Sequence, residues 1–573
     1  MDAMTALPST SPAPTGRLDI ATLARLRIPA SVEQVVLAAN VFWLLTANRA
    51  FFAAALHGRS AADLSSWVFG LALVLMLLAA GAVPMLLVSN RWTVKPLLAA
   101  LVVTVAAASW FVDRYGVYID PSMLRNALHT DVAEAREFMT GPLLRHLLVY
   151  AGVPLLVLHR ARIVPRSLAR TVLVRGGLLA GLTLVGAGAL LAVFQPFSSL
   201  MRTEKSLRYL IAPGNVVWSL ASTLAADTHA AVRPRLPIGL DAVIGDGSPR
   251  GGRPRLLVLV VGETARAANW GLNGGARQTT PRLASLPTID FTRVTACGTN
   301  TEVSVPCMFA PVGRRDYDAA RIRGSESLLH VLAHSGVDVH WRDNQSGCKG
   351  VCDGLSFDTV ASLGERASCT DGHCLDEGLV ADLEARLDAV QGTQVLVLHM
   401  LGNHGPSYFR RYPAAFARFQ PACADDDLRR CSREAIANAY DNALSYTDHV
   451  LATLIGRLAA RAERLDTAML YVSDHGESLG EKGLFLHGLP YAIAPAEQTQ
   501  VPWTMWFSAG FAQSGALDLD CLRRRAAEPA SHDHLFHSVL GLLDVRTALY
   551  EPDWDVTAGC RPLPGARAPG PAA

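Results

Sequence analysis

No cysteine occurs among the first 296 residues of this 573-residue chain, although ten follow. Cys-x-x-Cys spacing is missing altogether, which argues against a thiolate zinc site. Net charge is only +2 and no basic tract is interleaved with aromatics, so nucleic acid is not an expected partner. The first 30 residues lack the apolar stretch of a cleavable signal peptide, and none is expected. No internal repeat is visible, which excludes a solenoid.

What the chain has in excess is apolar residues. They make up 50% of it, and mean hydropathy is positive, more than an ordinary soluble protein carries. Five runs lie in the first third, roughly 34–56, 65–89, 95–112, 143–158 and 174–196, and each is long or nearly long enough to span a bilayer. Ten Lys and Arg fall in the amino-terminal tail and the second and fourth connections, against four in the first and third. The positive-inside rule then puts the amino terminus in the cytoplasm and everything after residue 197 outside.

The cysteines agree with that topology, since all ten fall on the outer side. Eight form close pairs that read as local disulfides in an oxidising compartment: Cys297 with Cys307, Cys348 with Cys352, Cys369 with Cys374, and Cys423 with Cys431. Cys521 and Cys560 remain, and their pairing is left open.

The expected organisation is a cytoplasmic tail (1–32), a five-helix transmembrane domain (33–197), an amphipathic bridging helix and linker (198–250), an outer catalytic domain (251–562) and a disordered tail (563–573). In the outer domain, strand-like runs at 256–261, 289–295, 337–342, 395–400 and 468–473 alternate with helical patterns, Ile436 to Leu458 being the clearest. Such alternation argues for an α/β fold with a mostly parallel sheet.

Three of those runs end in groups that bind metals or move protons. Leu256 to Val261 runs into Gly262-Glu263, Val395 to Leu398 into His399 and then Asn403-His404, and Ala468 to Ser473 into Asp474-His475. Ligands in open α/β folds gather at the carboxyl ends of strands, so Glu263, Asp474 and His475 are expected to converge as three metal ligands. The segment Cys297-Gly298-Thr299-Asn300-Thr301, closed by Cys307, offers hydroxyls as a fourth, and a hydroxyl on a divalent cation can act as a nucleophile.

At this point the motifs resemble a family. Val-Gly-Glu-Thr-Ala-Arg (261–266), Cys-Gly-Thr-Asn-Thr (297–301), Ser-Val-Pro-Cys-Met-Phe (304–309), Cys-Lys-Gly-Val-Cys (348–352), Gly-Asn-His-Gly-Pro (402–406), Asn-Ala-Tyr-Asp-Asn-Ala (438–443) and Ser-Asp-His-Gly-Glu-Ser-Leu-Gly-Glu (473–481) are similar to those of bacterial phosphoethanolamine transferases. The likeness is to the lipid A-modifying type that confers polymyxin and colistin resistance. It implies an inner-membrane protein with five spans before a periplasmic domain of the alkaline phosphatase or sulfatase α/β type. It makes Thr301 the nucleophile, with zinc held by Glu263, Thr301, Asp474 and His475. Lys349, His404 and His487 would lie near the substrate phosphate, with Thr299 beside the nucleophile. Asn126, Thr130 and Glu134, in the third connection, match the family's lipid-binding segment. Two departures stand out: His129 replaces the usual acid before Thr130, and Glu302 and Val303 replace the small and aromatic residues that follow the nucleophile.

The implied reaction moves phosphoethanolamine from phosphatidylethanolamine to lipid A, in a monomer at the membrane. Alternatives are transfer to a lipopolysaccharide core sugar, or a membrane-anchored phosphodiesterase or sulfatase-like hydrolase.

Overall fold

The computed structural model describes residues 27–130, 132–232, 235–245, 252–366, 369–370 and 373–561. Most of the expected cytoplasmic tail, residues 246–250 of the expected linker, the end residues 251 and 562 of the expected catalytic domain and the tail 563–573 lie outside the described residues. The chain divides into two units, one of residues 1–49, 58–106 and 146–197, the other of 50–57, 107–145 and 198–573.

Among the described residues, four helices are long and apolar enough to cross a bilayer, Leu64–Val88, Val94–Tyr115, Gly141–Arg160 and Leu168–Ala192, most of their length lying in the first unit. A bent pair, Val32–Thr46 and Arg49–Ala55, counts as a fifth span when taken together. The break falls at Ala47-Asn48, where the Asn48 amide donates to the Trp43 carbonyl at 3.0 Å and supplies a local substitute for helical bonding. Leu168–Ala192 begins six residues before the apolar run that marks it at 174, because Ser167 caps it and its first turns carry Arg170 and Arg175. Long basic side chains can hold such turns at the interface while their stems lie along apolar surface. Its neighbour is Leu64–Val88, and at the crossing a Cβ on Gly186 would come within 2.7 Å of Ala79 Cβ. Lipid offers helices no hydrophobic drive to associate, so close approach through small residues is what joins them. Leu173, Leu184 and Leu191 point outward and are more than 70% exposed, as lipid-facing side chains must be.

The second unit holds an eight-stranded sheet. Its strands are β1 (Arg255–Gly262), β2 (Ile289–Thr295), β3 (Asp338–Asp343), β4 (Ser356–Thr359), β5 (Thr393–His399), β6 (Asp466–Ser473), β7 (Gln500–Phe507) and β8 (Ala530–Ser531), in the order β8-β2-β7-β6-β1-β5-β3-β4. The strands from β6 to β4 are parallel, whereas β7 runs antiparallel to both β6 and β2. The sheet is therefore mixed. Every residue of β1 and of β6 is buried, the mark of central strands covered on both faces, and this is why they read as unbroken apolar runs.

Five helices of this unit matter for the site: α1 (Pro121–His129), α2 (Val132–Glu137), α3 (Thr301–Met308), α4 (Ala319–Gly324) and α5 (Arg433–Ala459). The first is started by Asp120, whose carboxylate accepts from the Met123 amide at 2.7 Å, with Pro121 in the first turn. The stretch 198–230 is divided into helix Phe194–Thr203, a 3-10 turn Lys205–Leu210 and helix Gly214–Val232, with Pro213 just before the last. That last helix packs on α1, where Thr223 Oγ1 donates to the Pro121 carbonyl at 3.1 Å.

Disulfides join Cys297–Cys307, Cys348–Cys352, Cys369–Cys374, Cys423–Cys431 and Cys521–Cys560. Protein purified without reductant should therefore yield no thiol to a maleimide reagent under denaturing conditions, and ten after reduction. Free Cys348 and Cys352 in that assay would show that the loop carrying Lys349 is open in the native protein.

Candidate active site

Parallel register brings the first cluster together. Ser473 pairs with Gly262, so the residues that follow, Asp474 and Glu263, emerge side by side at the carboxyl end of the sheet. Glu263, Asp474 and His475 are all buried, and their ligand atoms lie within 4.8 Å of one another. His475 Nδ1 donates to the Gly476 carbonyl at 2.9 Å. A carbonyl only accepts, so that bond fixes the tautomer and turns Nε2 toward the carboxylates, 3.4 Å from Glu263 Oε1 and 3.3 Å from Asp474 Oδ2.

Thr301 is the first residue of α3 and is capped by Asn300, whose side chain accepts from the Val303 amide at 3.0 Å. Its hydroxyl donates to Glu263 Oε2 at 3.2 Å and lies 3.5 Å from His475 Nε2. The Cys297–Cys307 bridge closes the segment on either side of it. A helix amino terminus presents unpaired N–H groups and a positive dipole end, which favours an anion or an oxyanion at Thr301.

Two observations test whether a metal fits. Asp474 Oδ2 is buried without a hydrogen-bond partner, while Oδ1 accepts from the Thr264 and His475 amides. The separations just given, from 3.2 to 3.5 Å, match the edge of a tetrahedron about an ion with bonds of about 2.0–2.1 Å, which is roughly 3.3–3.4 Å. Charge balance agrees. Burial and the nearby Glu263 push Asp474 up to about 6. Burial alone would neutralise His475, but Asp474 and Glu263 push it up to about 10. Two buried carboxylates thus draw a cation into the site, and a divalent metal fills that need while leaving the imidazole neutral.

Beyond these ligands, His404 and His487 stack edge to face with ring centres 5.3 Å apart, and His487 lies 4.4 Å from the His475 ring. Their environments differ. Burial works against a charge on His404, but Glu134, whose Oε1 is 3.1 Å from Nε2, and Glu263 raise its pKa. Burial lowers His487 well below the usual range, and the neighbouring His475 and His404 push the same way. Gly402 lets this loop approach. It sits at φ 53°, and a Cβ there would meet the Glu263 carbonyl oxygen at 2.6 Å. Asp376 holds the loop by accepting from the Leu401 and Gly402 amides, both at 2.9 Å.

The other expected residues are placed as follows. Lys349 is buried at φ 50°, and its ammonium donates to Ser346 O and lies 3.3 Å from Glu302. Thr299 donates its hydroxyl to the Leu489 carbonyl at 2.6 Å and so props the nucleophile loop. Asn126 and Thr130 lie at the end of α1, where the Thr130 hydroxyl donates to the Asn126 carbonyl at 2.8 Å. Glu134, on α2, is the member of that trio joined to His404. Next to it, Glu137 pairs with Arg411 at 2.6 Å, and Arg411 Nε donates to the His404 carbonyl at 2.7 Å.

Three residues around the site have no role assigned from the sequence, although His399 and Glu302 are visible in it. Glu477 is fully buried 3.3 Å from His487, and burial pushes it up to about 8; its signal was its place in the Asp-His-Gly-Glu motif. His399 Nδ1 meets Asp343 at 2.8 Å because β5 and β3 pair in register, a contact that only topology reveals. Glu302 anchors Lys349, Arg323 and the His129 ring; burial resists its ionisation, but these neighbours bring its pKa down.

A hydroxyl-bearing loop and a cluster that could hold a metal ion lie at the carboxyl end of a mixed α/β sheet, and residues 255–545 match the family described as Sulfatase. Residues 76–228 match a second family, described as Phosphoethanolamine transferase EptA/EptB. Phosphoethanolamine transferase EptA of Escherichia coli strain K12 is 36% identical over 534 residues, 91% of this chain and 96% of the relative. Phosphatidylethanolamine transferase Mcr-1 of Escherichia coli is 37% identical, with 83% of this chain and 90% of the relative covered. Among solved structures, the integral membrane protein lipooligosaccharide phosphoethanolamine transferase A from Neisseria meningitidis superposes with a TM-score of 0.88 at 36% identity, covering 93% of this chain and 99% of its own. The chain belongs to the phosphoethanolamine transferase family. It is a multi-pass inner-membrane protein whose α/β domain stands on the periplasmic side.

Proposed function

We propose that this protein transfers phosphoethanolamine from phosphatidylethanolamine to lipid A through a phosphoethanolaminated Thr301. The observation that carries the reading is the Thr301 hydroxyl, held at a helix amino terminus within 3.5 Å of both Glu263 and His475. Glu263, Thr301, Asp474 and His475 would hold zinc, which when bound acidifies the hydroxyl and draws charge from the attacked phosphoryl group.

The chain's own groups do the rest. In the first half, Thr301 Oγ1 forms a bond to the donor phosphorus as the bond from phosphorus to the diacylglycerol oxygen breaks. The departing alkoxide takes a proton from His404, whose charge Glu134 sustains. The amino end of α3 and Lys349 offset the negative charge of the phosphodiester. In the second half, an oxygen of a lipid A phosphate gives its proton to His404 and forms the new bond to phosphorus, and Thr301 Oγ1 leaves and takes back the proton it released to solvent in the first half. The added ammonium offsets part of the phosphate charge, so cationic polymyxins bind the modified surface less well. The spans support a lipid substrate, because a site fixed to the bilayer meets both lipids at high effective concentration.

Lipid A extracted from cells with and without the protein tests the reading by mass spectrometry. A mass increase of one phosphoethanolamine unit on lipid A, only in cells making the protein, is expected. Unchanged lipid A together with free phosphoethanolamine released by the purified protein would establish a hydrolase instead, and modification confined to the core sugars would move the acceptor.

A further inference from the structure

Glu302 follows the nucleophile on α3, and only 1% of its side chain is exposed. A buried carboxylate persists where cations and hydrogen bonds compensate it, and here two cations and an imidazole do so. His129 Nδ1, at the end of α1, is 3.1 Å away; Lys349 Nζ, in the loop closed by Cys348 and Cys352, is 3.3 Å away; Arg323, on α4, is 3.4 Å away and also donates to the Glu302 backbone carbonyl. These three side chains belong to three separate elements, and Glu302 is what they share. Lys349 is held with particular closeness. Its backbone sits in the left-handed region at φ 50°, and its ammonium finds an acceptor for each hydrogen in Ser346 O at 3.0 Å, Ser346 Oγ at 2.5 Å and Glu302. Strain of this kind survives where surrounding contacts over-determine the conformation.

We propose that Glu302 is a positioning residue that fixes Lys349, and through His129 the helix α1, relative to Thr301. This rests on the transfer reading above. A lysine on a free stem would have to be ordered each time an anionic donor bound; one already held by Glu302 presents its charge at a set place. The His129 contact gives α1, which carries Asn126, a fixed register on the helix that carries Thr301. The nearby Asn300 amide, 3.5 Å from Ser122 Oγ, runs along the same interface.

The two links have kinetic signatures that a purely structural role lacks. Loss of the Glu302 carboxylate releases Lys349, so the reacting geometry is lost, and it also frees the donor segment that His129 ties down. Loss of the His129 link loosens the donor segment and leaves Lys349 in place. The experiment uses the full-length protein in nanodiscs containing lipid A and a fluorescent phosphatidylethanolamine, with diacylglycerol release followed as the donor fraction is varied. Glu302→Gln is expected to lower kcat about tenfold or more, because Lys349 is no longer fixed, and to raise KM by about as much as loss of the His129 link does, whereas Lys349→Ala raises KM. His129→Gln is expected to raise KM about threefold or more, and to add nothing further in the Glu302→Gln background, because it acts through that carboxylate. A Glu302→Gln enzyme within about twofold of wild type in both constants would overturn the proposal, as would a raised KM at unchanged kcat, which would mean that Glu302 touches the donor itself. If Glu302→Gln does not fold, His129→Gln decides alone, since its side chain is half exposed, and an unchanged KM sinks the link. Failure of the wild-type protein to release diacylglycerol would instead refute the transfer reading.

Discussion

In protein carrying Thr301→Ala, neither a phosphoethanolamine adduct on the chain nor modified lipid A is expected, whereas Thr299→Ala retains both. The two threonines are two residues apart, yet their hydroxyls face different partners. That of Thr301 meets Glu263 and His475, and that of Thr299 is bound to the Leu489 carbonyl. Removing an activated nucleophile typically lowers kcat by several orders of magnitude, on the order of 10⁴ to 10⁶. Removing a loop hydrogen bond costs about 1 kcal/mol of stability and a modest loss of rate. Intact-mass analysis after incubation with phosphatidylethanolamine reads the adduct directly. An adduct that persists in Thr301→Ala would transfer the role to another residue.

Stripping the metal is the second change with a large expected effect. Dialysis against a strong chelator should abolish transfer, and zinc should restore it where magnesium does not, because the donors are one imidazole, two carboxylates and a hydroxyl at tetrahedral separations. The melting temperature should fall as well. A ligand present at 100 times its Kd contributes about 2.7 kcal/mol to the folded state, and without it the buried carboxylates are left facing one another. Asp474→Asn keeps the shape of the site and removes one ligand charge, so it should reproduce the chelator's loss of activity and bind substoichiometric zinc by elemental analysis. Full turnover in metal-free protein would refute the metal's role.

Much of this site was legible because sheet topology turns sequence into proximity. An apolar run that stops at Gly262 or Ser473 announces a strand end, and parallel pairing makes the next residues neighbours. The metal cluster could therefore be read without coordinates, and so could helix α5, whose apolar residues recur at helical spacing and are buried. Other features left no such trace. Strand β7, Gln500–Phe507, contains Pro502 and follows a short helix, and its antiparallel placement beside β6 depends on the path of the chain between them. Glu302 reads as an ordinary acid in the first turn of a helix; its burial arises because Lys349, Arg323 and His129, from distant segments, close over it. The break at Ala47-Asn48 is hidden by apolar residues on both sides, and only the Asn48 side chain satisfying a backbone carbonyl marks it.

The carboxylate that sustains the charge of His404 comes from α2, in the segment joining two membrane spans. A water-soluble fragment starting after residue 230 would retain the metal ligands and lose Glu134, Glu137 and His129 together. Compounds selected on such a fragment would meet a less basic His404, since burial there would act with one fewer opposing carboxylate. Affinity for anionic chemotypes would be underestimated, and screening for inhibitors of this enzyme is better founded on the intact, lipid-embedded chain.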